Sequence, residues 1–417
     1  MAKEFQTDNS TDLRVRPDTA FLDRDGVDLE LEDIEEGSFI EAAFGREEKA
    51  SVASQWQLMW WRFLKHKVAL VSAVIVILFY LVGAFAEFMA VNDPQKQYDQ
   101  LIFVPPQRIH FEGFRPFVYG IEGTRNPETF AKEYVEDTSV KYYLQFFVKG
   151  YPYKFWGLFE TDLHLMGLDM GETEEEVVDS ANPEYTPVPF YPLGTDRMGR
   201  DMWSRVMYGT RISLSIGLVG VTISLFLGLL LGGLSGLYGG AVDNVIQRVI
   251  EFLRSMPTIP LWLSLGAAVP LEWSVIQVYF AITIILSLIG WTGLAREVRG
   301  RFLALREEDF IMAARFAGTN ELRIIFRHMI PSFISHIIAA LTLSIPTMIL
   351  SETALSFLGL GLRPPAISWG ILLFEAQNLQ SVAGAPWLLL PGAFVLVSIM
   401  AFNFLGDGLR DAADPYG

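Results

Sequence analysis

Six uncharged, strongly apolar runs punctuate the chain, over residues 68–86, 212–242, 255–271, 273–295, 329–351 and 376–406. A helix needs about 20 apolar residues to cross the hydrocarbon core of a bilayer. The runs therefore predict membrane spans near 68–86, 212–236, 253–270, 274–295, 331–351 and 387–405. Pro257, Pro260 and Pro270 would break or kink the third. The expected fold is an all-α integral membrane protein with six transmembrane helices. Gly228, Gly232, Gly236 and Gly240 recur at four-residue spacing in the second span, which leaves one face almost bare for close helix packing in lipid.

The polar stretches divide the chain further. Residues 1–57 carry 15 acidic against 6 basic side chains and read as an acidic, disordered tail. Residues 58–90 hold the first span and its interfacial anchor: the three tryptophans of 56–67 (WQLMWWRFLKHK) lie among Arg62, Lys65 and Lys67. Residues 91–195 form an insert between the first two spans, whose twenty aromatic residues suffice for a small core of its own. Within it, 140–147 (VKYYLQFF) is apolar enough for a buried strand or helix, while 172–176 and 182–189 read as exposed loop. Residues 196–414 form the transmembrane core.

Within that core, the loop 296–330 between the fourth and fifth spans is distinctive. It contains seven arginines by residue 327, whereas the loop after the fifth span holds only Arg363. The positive-inside rule puts this loop, and with six spans both termini, in the cytoplasm. Its sequence also predicts an elbow of two helices. Asp309 is placed to cap the first, over 310–317, and Gly318 to end it. Asn320 is placed to cap the second, with Leu322, Ile325 and Phe326 on one side, Arg323 and Arg327 on the other, running straight into the fifth span. Small Ala313 and Ala314 at the tip permit close approach by a soluble partner.

Composition narrows the chemistry. The chain is 51% hydrophobic and 19% charged, has a net charge of −16 and no cysteine. Disulfides, thiolate metal sites and a cysteine nucleophile are excluded, and the acidic balance argues against nucleic acid. There is no phosphate-binding loop of the Gly-rich, Lys-Ser/Thr kind and no His-Glu-x-x-His, so no catalytic residue, cofactor site or metal site is expected here. Polar residues in or at the ends of spans are candidates for a pathway through the membrane: Gln277, His336, Glu352 and Asn403. Just before the second span, 193–214 (LGTDRMGRDMWSRVMYGTRISL) sets four arginines beside Asp196 and Asp201. Arginines so close to lipid are expected to pair with those carboxylates or with backbone carbonyls.

Two of these motifs resemble a known family. Gly194, Thr195, Asp196, Gly199, Arg200 and Asp201, continued by Arg205, match the GTDxxGRD signature of ABC importer permeases of the dipeptide, oligopeptide and nickel branch, specifically the second, C-type peptide permease. Ala313-Ala314, with Arg315, Gly318 and Pro331, resembles that family's coupling loop, although Met312 stands where an acidic residue is usual. The resemblance implies the transmembrane subunit of an ATP-driven importer in the bacterial inner membrane. It further implies a second homologous permease subunit, two ATP-binding cassette subunits that hold the ATP and magnesium, an extracytoplasmic binding protein and a peptide substrate. Nickel chelates or another small solute are the alternative cargo. An ion-coupled secondary transporter is the alternative of a different class; it would want mid-span carboxylates, which the spans lack.

Overall fold

The computed structural model describes residues 55–125, 127, 132–168, 190–377 and 383–413. Residues 1–54 of the expected tail and the expected loops 172–176 and 182–189 lie outside the described residues.

Helix α1 (Gln55–Lys65) leads into α2 (Lys67–Ala84), which is followed by the short α3 (Ala86–Met89). Along α2 only Ala69, Ser72, Val76 and Gly83 are buried, while Val71, Val74, Ile77, Leu78 and Leu81 are exposed. A helix apolar all round whose large side chains face outward is one that faces lipid. Four strands follow, β1 (His110–Glu112), β2 (Arg115–Arg125), β3 (Lys132–Phe155) and β4 (Phe159–Leu168), paired antiparallel in sequence order. The remaining elements are helical: α4 (Met202–Tyr238), α5 (Gly240–Ser255), α6 (Thr258–Ala267), α7 (Val275–Leu305), α8 (Asp309–Phe316), α9 (Glu321–Ile324), α10 (Ile334–Phe357), α11 (Trp369–Glu375) and α12 (Leu390–Ala413). Among the described residues, α2, α4, α7, α10 and the segment Pro386–Ala413 are the five helical stretches long and apolar enough to cross a membrane.

The sheet corrects the all-α expectation. Residues 140–147 do form part of β3, but they are not a buried strand. Tyr142 and Leu144 pack toward Val118, Leu168 and Phe190, whereas Phe146 and Phe147 stand exposed. His164 ties the sheet to the helical part, its Nδ1 2.7 Å from the Ala90 carbonyl and its Nε2 3.0 Å from that of Tyr151.

The glycine stripe works as expected at three of its four positions, and the neighbour it meets is α7. A Cβ on Gly232 would lie 2.5 Å from the Ala295 carbonyl oxygen, and one on Gly236 2.5 Å from Phe302 Cβ. Gly228 packs on Leu294 in the same way. Gly240 does not belong to the stripe; it sits at φ +55 in the turn after α4, with open space around it. Matching positions rise together along the two helices: Tyr279 Oη donates to Ser215 Oγ (3.1 Å), and Ser287 Oγ to the Gly220 carbonyl (3.0 Å). Helices α4 and α7 therefore run parallel, and residues 239–274 must carry the chain back from one end of the pair to the other.

That return is where the expected third span, 253–270, is corrected. Pro257 lacks an N–H and forces Met256 into extended backbone (φ −85°, ψ 136°), which divides the path into two helices. Helix α5, of 16 residues, starts where Asp243 accepts Arg299 Nε (2.6 Å) and packs Ile250 against Trp291 and Ala295. Helix α6 continues with ten residues, setting Trp262 and Leu263 beside Ile282 and Leu286. At 1.5 Å per residue, α6 alone covers about 15 Å, half of the ~30 Å core. The return thus begins earlier than expected, in a half that Asp243, Arg248, Glu251 and Arg254 disguise as polar loop.

Candidate functional site

Three constellations stand out, one at each end of the α4–α7 pair and one between. At the Arg-rich end, α8 forms the tip of the elbow. Its amino end is one residue earlier than expected: Glu308 is the cap residue, no side chain caps the helix, and Asp309 is its first member. Its carboxyl end is as expected. Gly318, at φ +71, turns the chain, and Thr319 N–H closes the motif on the Ala314 carbonyl at 3.1 Å. Asn320 then caps α9 by accepting from Leu322 N–H at 3.0 Å.

Beyond α9 the expected single amphipathic helix is interrupted. Residues Ile325–Met329 form a π turn, and Phe333 (φ −133°) breaks the path before α10, just after Pro331. Ile324, Ile325 and Met329 are buried, while Leu322 and Phe326, expected on the apolar side, point outward with Arg323 and Arg327. Ile311 pins the elbow into the cluster formed by Leu237 of α4, Val298 and Phe302 of α7 and Ile337 of α10. Ala313 is exposed, Ala314 is half-buried, and Arg315 lies 3.9 Å from Glu321 across the bend. Around them Met312 and Phe316, one turn apart, leave an apolar ridge in which Phe316 is 86% exposed, and Phe310 is exposed on another face.

At the opposite end, the 194–205 signature is a buried clamp. Gly194 and Gly199 take positive φ (72 and 70) and lie so close to the Val104 and Tyr98 carbonyls that a Cβ would collide with either. Thr195 Oγ1 accepts from Val104 N–H (2.8 Å) and donates to the Leu101 carbonyl (2.5 Å). Asp196 Oδ2 accepts from Arg200 Nε at 2.7 Å. Arg200 Nη2 and Arg205 Nη2 both donate to Glu375 Oε2 at 2.8 Å, with all three side chains at most 8% exposed. The expected pairing holds for Arg200, Arg205 and Arg211 but not for the exposed Arg197, and Glu375 is the partner that sequence reading missed. The available signal was its isolation: it is the one acidic residue between Glu352 and Asp407. Asp201 does not pair with arginine. It caps α4, accepting from Trp203 and Ser204 N–H, and burial pushes its carboxyl up to about 6. Arg211 is held by Glu87 and by the Gly83 carbonyl.

Between the two ends, α4, α7 and α10 surround a groove of ≈460 Å³, flanked by Thr258 and Trp262 of α6. Ser224 and Trp262 line it, and the Oγ of the first and Nε1 of the second are buried without a hydrogen-bond partner. Gly290 and Gly293 give it room, and Ser344, Thr347 and Ser351 add hydroxyls from α10. None of the four expected pathway residues lines this groove, and His336 comes nearest. It is 3.5 Å from Glu297, which lines one end. Gln277 instead completes a capping box with Ser274 at the start of α7. Glu352 is wholly buried, accepting from Ser213, Ser356 and Ser368, and faces no open space. Asn403 is exposed on α12, away from the groove. The residues missed, Ser224 above all, are small or weakly polar groups within apolar runs.

Comparison with known proteins places this architecture. The binding-protein-dependent transport system inner membrane component family matches residues 225–416, and the N-terminal TM domain of oligopeptide transport permease C matches 54–106. The oligopeptide transport system permease protein OppC of Bacillus subtilis is 34% identical over 235 residues, 56% of this chain and 74% of that protein. OppC of Haemophilus influenzae is 40% identical over 227 residues, covering 54% and 70%. The chain belongs to this permease family. The B. subtilis dipeptide permease DppC is similar too, at 36% identity over 225 residues, covering 54% and 68%. Among solved structures, the inward-facing MetNI methionine ABC transporter aligns at a TM-score of 0.41 and 18% identity, over 51% of this chain and 98% of that one.

In the permease, the groove and the elbow both fall within 225–416 apart from the stretch of α4 that carries Val221 and Ser224. The sheet, by contrast, falls between the two family matches. The groove's chemistry suits a solute that brings hydrogen-bond acceptors, because Ser224 and Trp262 each hold an unpaired donor beside apolar walls.

Proposed function

We propose that this permease is one of two transmembrane subunits of an ATP-driven importer and forms half of the route for di- or oligopeptides. The observation that carries the reading is the continuity of one element. Helix α10 lines the groove, and its amino end is joined through 321–332 to an elbow that exposes an apolar ridge. A ridge of Met312 and Phe316, with Phe310 exposed beside it, suits insertion into a cleft of a soluble subunit. That subunit, in two copies, supplies the ATP and magnesium chemistry, and its closure pushes the elbow and so α10. The cargo reading rests on the relatives' names and on the groove, where Ser224 and Trp262 keep donors that no protein group satisfies and apolar walls tolerate varied side chains.

The seven arginines of 296–327 set the elbow in the cytoplasm of the inner membrane. With α5 and α6 together making one broken crossing, both termini share that side, and the sheet stands outside with the clamp. A binding protein delivers the peptide there, and a homologous permease completes the route. The test is purification of the tagged chain in mild detergent, with identification of co-purifying subunits and assay of ATP hydrolysis. Recovery of ATP-binding subunits and a second permease is expected from wild type, and loss of the ATP-binding subunits alone from Phe316→Asp. A chain that arrives alone and moves peptide on an ion gradient without ATP would refute the proposal.

A further inference from the structure

The tip of the β3–β4 hairpin, residues 155–159 (FWGLF), carries no charge and takes no part in the clamp, groove or elbow. Phe155 pairs with Phe159, and between them Trp156 and Gly157 both adopt positive φ (50 and 73). That conformation is uncommon for a bulky residue and is held here by contacts. The turn leaves Trp156, Leu158 and Phe159 at 60, 72 and 67% exposure, a contiguous apolar surface in water if nothing covers it.

Its position says what covers it. Trp156 Nε1 donates to the carbonyl of Ala84, the last residue of α2, at 2.7 Å, and the Phe155 ring lies 5.8 Å from that of Phe85. Trp156 and Gly157 share a cleft with Tyr80, Leu214 and Leu218. Tyr80 is one helical turn inward of Ala84, and Leu214 and Leu218 are one and two turns inward of Arg211. Arg211, bound to Glu87, marks the polar edge of the span. The tip therefore reaches past that edge, alongside the exposed face of α2 formed by Ile77, Leu81 and Phe85, which is lipid-facing in an inner-membrane permease. Immediately behind the tip, Lys154 and Glu160 form an exposed ion pair at 3.2 Å. An uncharged aromatic tip, a tryptophan at the boundary and charges just outside it are the arrangement of an interfacial anchor.

We propose that residues 155–159 enter the membrane leaflet on the insert's own side, beside α2, and that the sheet is anchored by phospholipid as well as by its covalent link to the spans. The occupant of the apolar surface is the acyl-chain region just below the headgroups. The sheet is thereby held at a fixed height and orientation beside the mouth of the route, whatever solute passes.

The chain has no cysteine, so single labels are unambiguous. Leu158→Cys and, as the solvated comparison, Ser139→Cys in β3 are made in the full-length chain and nitroxide-labelled. Each is reconstituted with its co-purifying subunits in phosphatidylethanolamine–phosphatidylglycerol vesicles. Power-saturation EPR then compares collision with oxygen, which partitions into acyl chains, and with a polar nickel chelate. Position 158 is expected to favour oxygen several-fold over the chelate, with the order reversed at 139. Phe159→Cys reads the same surface and replaces Leu158→Cys if that variant fails to fold. Equal access of the chelate at 158 and 139 overturns the proposal in favour of a solvated tip. Shielding of 158 from both reagents overturns it in favour of another protein subunit on this surface.

Discussion

Removing Glu375 should unlatch the outer clamp. Its Oε2 receives two guanidinium bonds of 2.8 Å, from Arg200 and Arg205, and the three side chains are only 7, 8 and 2% exposed. In Glu375→Ala, Asp196 alone remains to balance both cations, and it lies 2.7 Å from Arg200 Nε but 3.6 Å from Arg205 Nη1. Arg205 Nε already has no acceptor, so the guanidinium would be left largely unsatisfied. Breaking a buried pair by deleting one partner costs about 3–5 kcal/mol, because an uncompensated charge stays behind. At an unfolding entropy of about 2 cal/mol/K per residue, that lowers the melting midpoint by roughly 5 °C. Thermal melts in detergent, followed by tryptophan fluorescence, measure it. The companion variant Arg205→Met/Glu375→Met removes both charges, leaves the Asp196–Arg200 pair neutral, and should recover most of the loss. A Glu375→Ala protein as stable as wild type refutes the reasoning, as does a double variant no better than the single one.

Gly232→Leu should disrupt the α4–α7 contact, since a Cβ there falls 2.5 Å from the Ala295 carbonyl oxygen; a loss of about 3 kcal/mol is expected, read as reduced yield and midpoint. Gly318→Ala meets no atom within 4 Å but sits at φ +71, so it costs only about 1–2 kcal/mol of local strain. It should lower ATP hydrolysis coupled to transport while leaving the melting midpoint almost unchanged; intact coupling speaks against the elbow as lever. For Asp201, burial raises the carboxyl from 3.8 to about 6, so the folded state holds the proton more tightly than the unfolded chain. This stabilisation is full below pH 3.8 and is lost as pH rises through about 6. Asp201→Asn has nothing to titrate there, so the stability of wild type relative to the variant should fall by about 2 kcal/mol between pH 4 and 7. A pH-independent difference disproves it.

The spans were legible because the hydrocarbon core sets one length scale and excludes charge, and 68–86, 274–295, 331–351 and 387–405 satisfy both conditions. The return through 239–274 was not, because its first half offsets polarity by pairing: Asp243 carries a charge into the packed end of α4 and α7 only by binding Arg299 and Ser235. Gly318 and Asn320 were readable since each satisfies a local backbone need. The partition of 322–329 was so only in part: Ile325 is buried and both arginines are exposed as the pattern implies, but Leu322 and Phe326 face outward where a π turn breaks the 3.6-residue period. The signature was recognisable as a pattern, yet its chemistry closes on Glu375, 170 residues beyond Arg205. Polar candidates in the spans were chosen for polarity alone, and Gln277 and Glu352 show the weakness of that criterion, since the first is spent on a capping box and the second on three serine hydroxyls.

Packing also bears on which helix a partner pressing on the elbow, as proposed above, would move. Between α4 and α7 the glycine stripe brings backbone against backbone, with Gly232 on Ala295 and Gly236 on Arg299 and Phe302, and such a contact has no compressible side chains to yield. The pair behaves as one body. Helix α10 meets that body differently. It faces α7 across the groove, carries Pro346 within its length and so lacks one backbone bond, and is separated from the elbow by the break at Phe333. Its far end is fixed instead, because Glu352 binds serines of α4, α10 and the α11 cap at once. A push on the elbow therefore meets a stiff pair on one side and an anchored end on the other. The displacement it can produce is a swing of the elbow-side half of α10, and that half carries Ala340, Leu341 and Ser344, which line the groove.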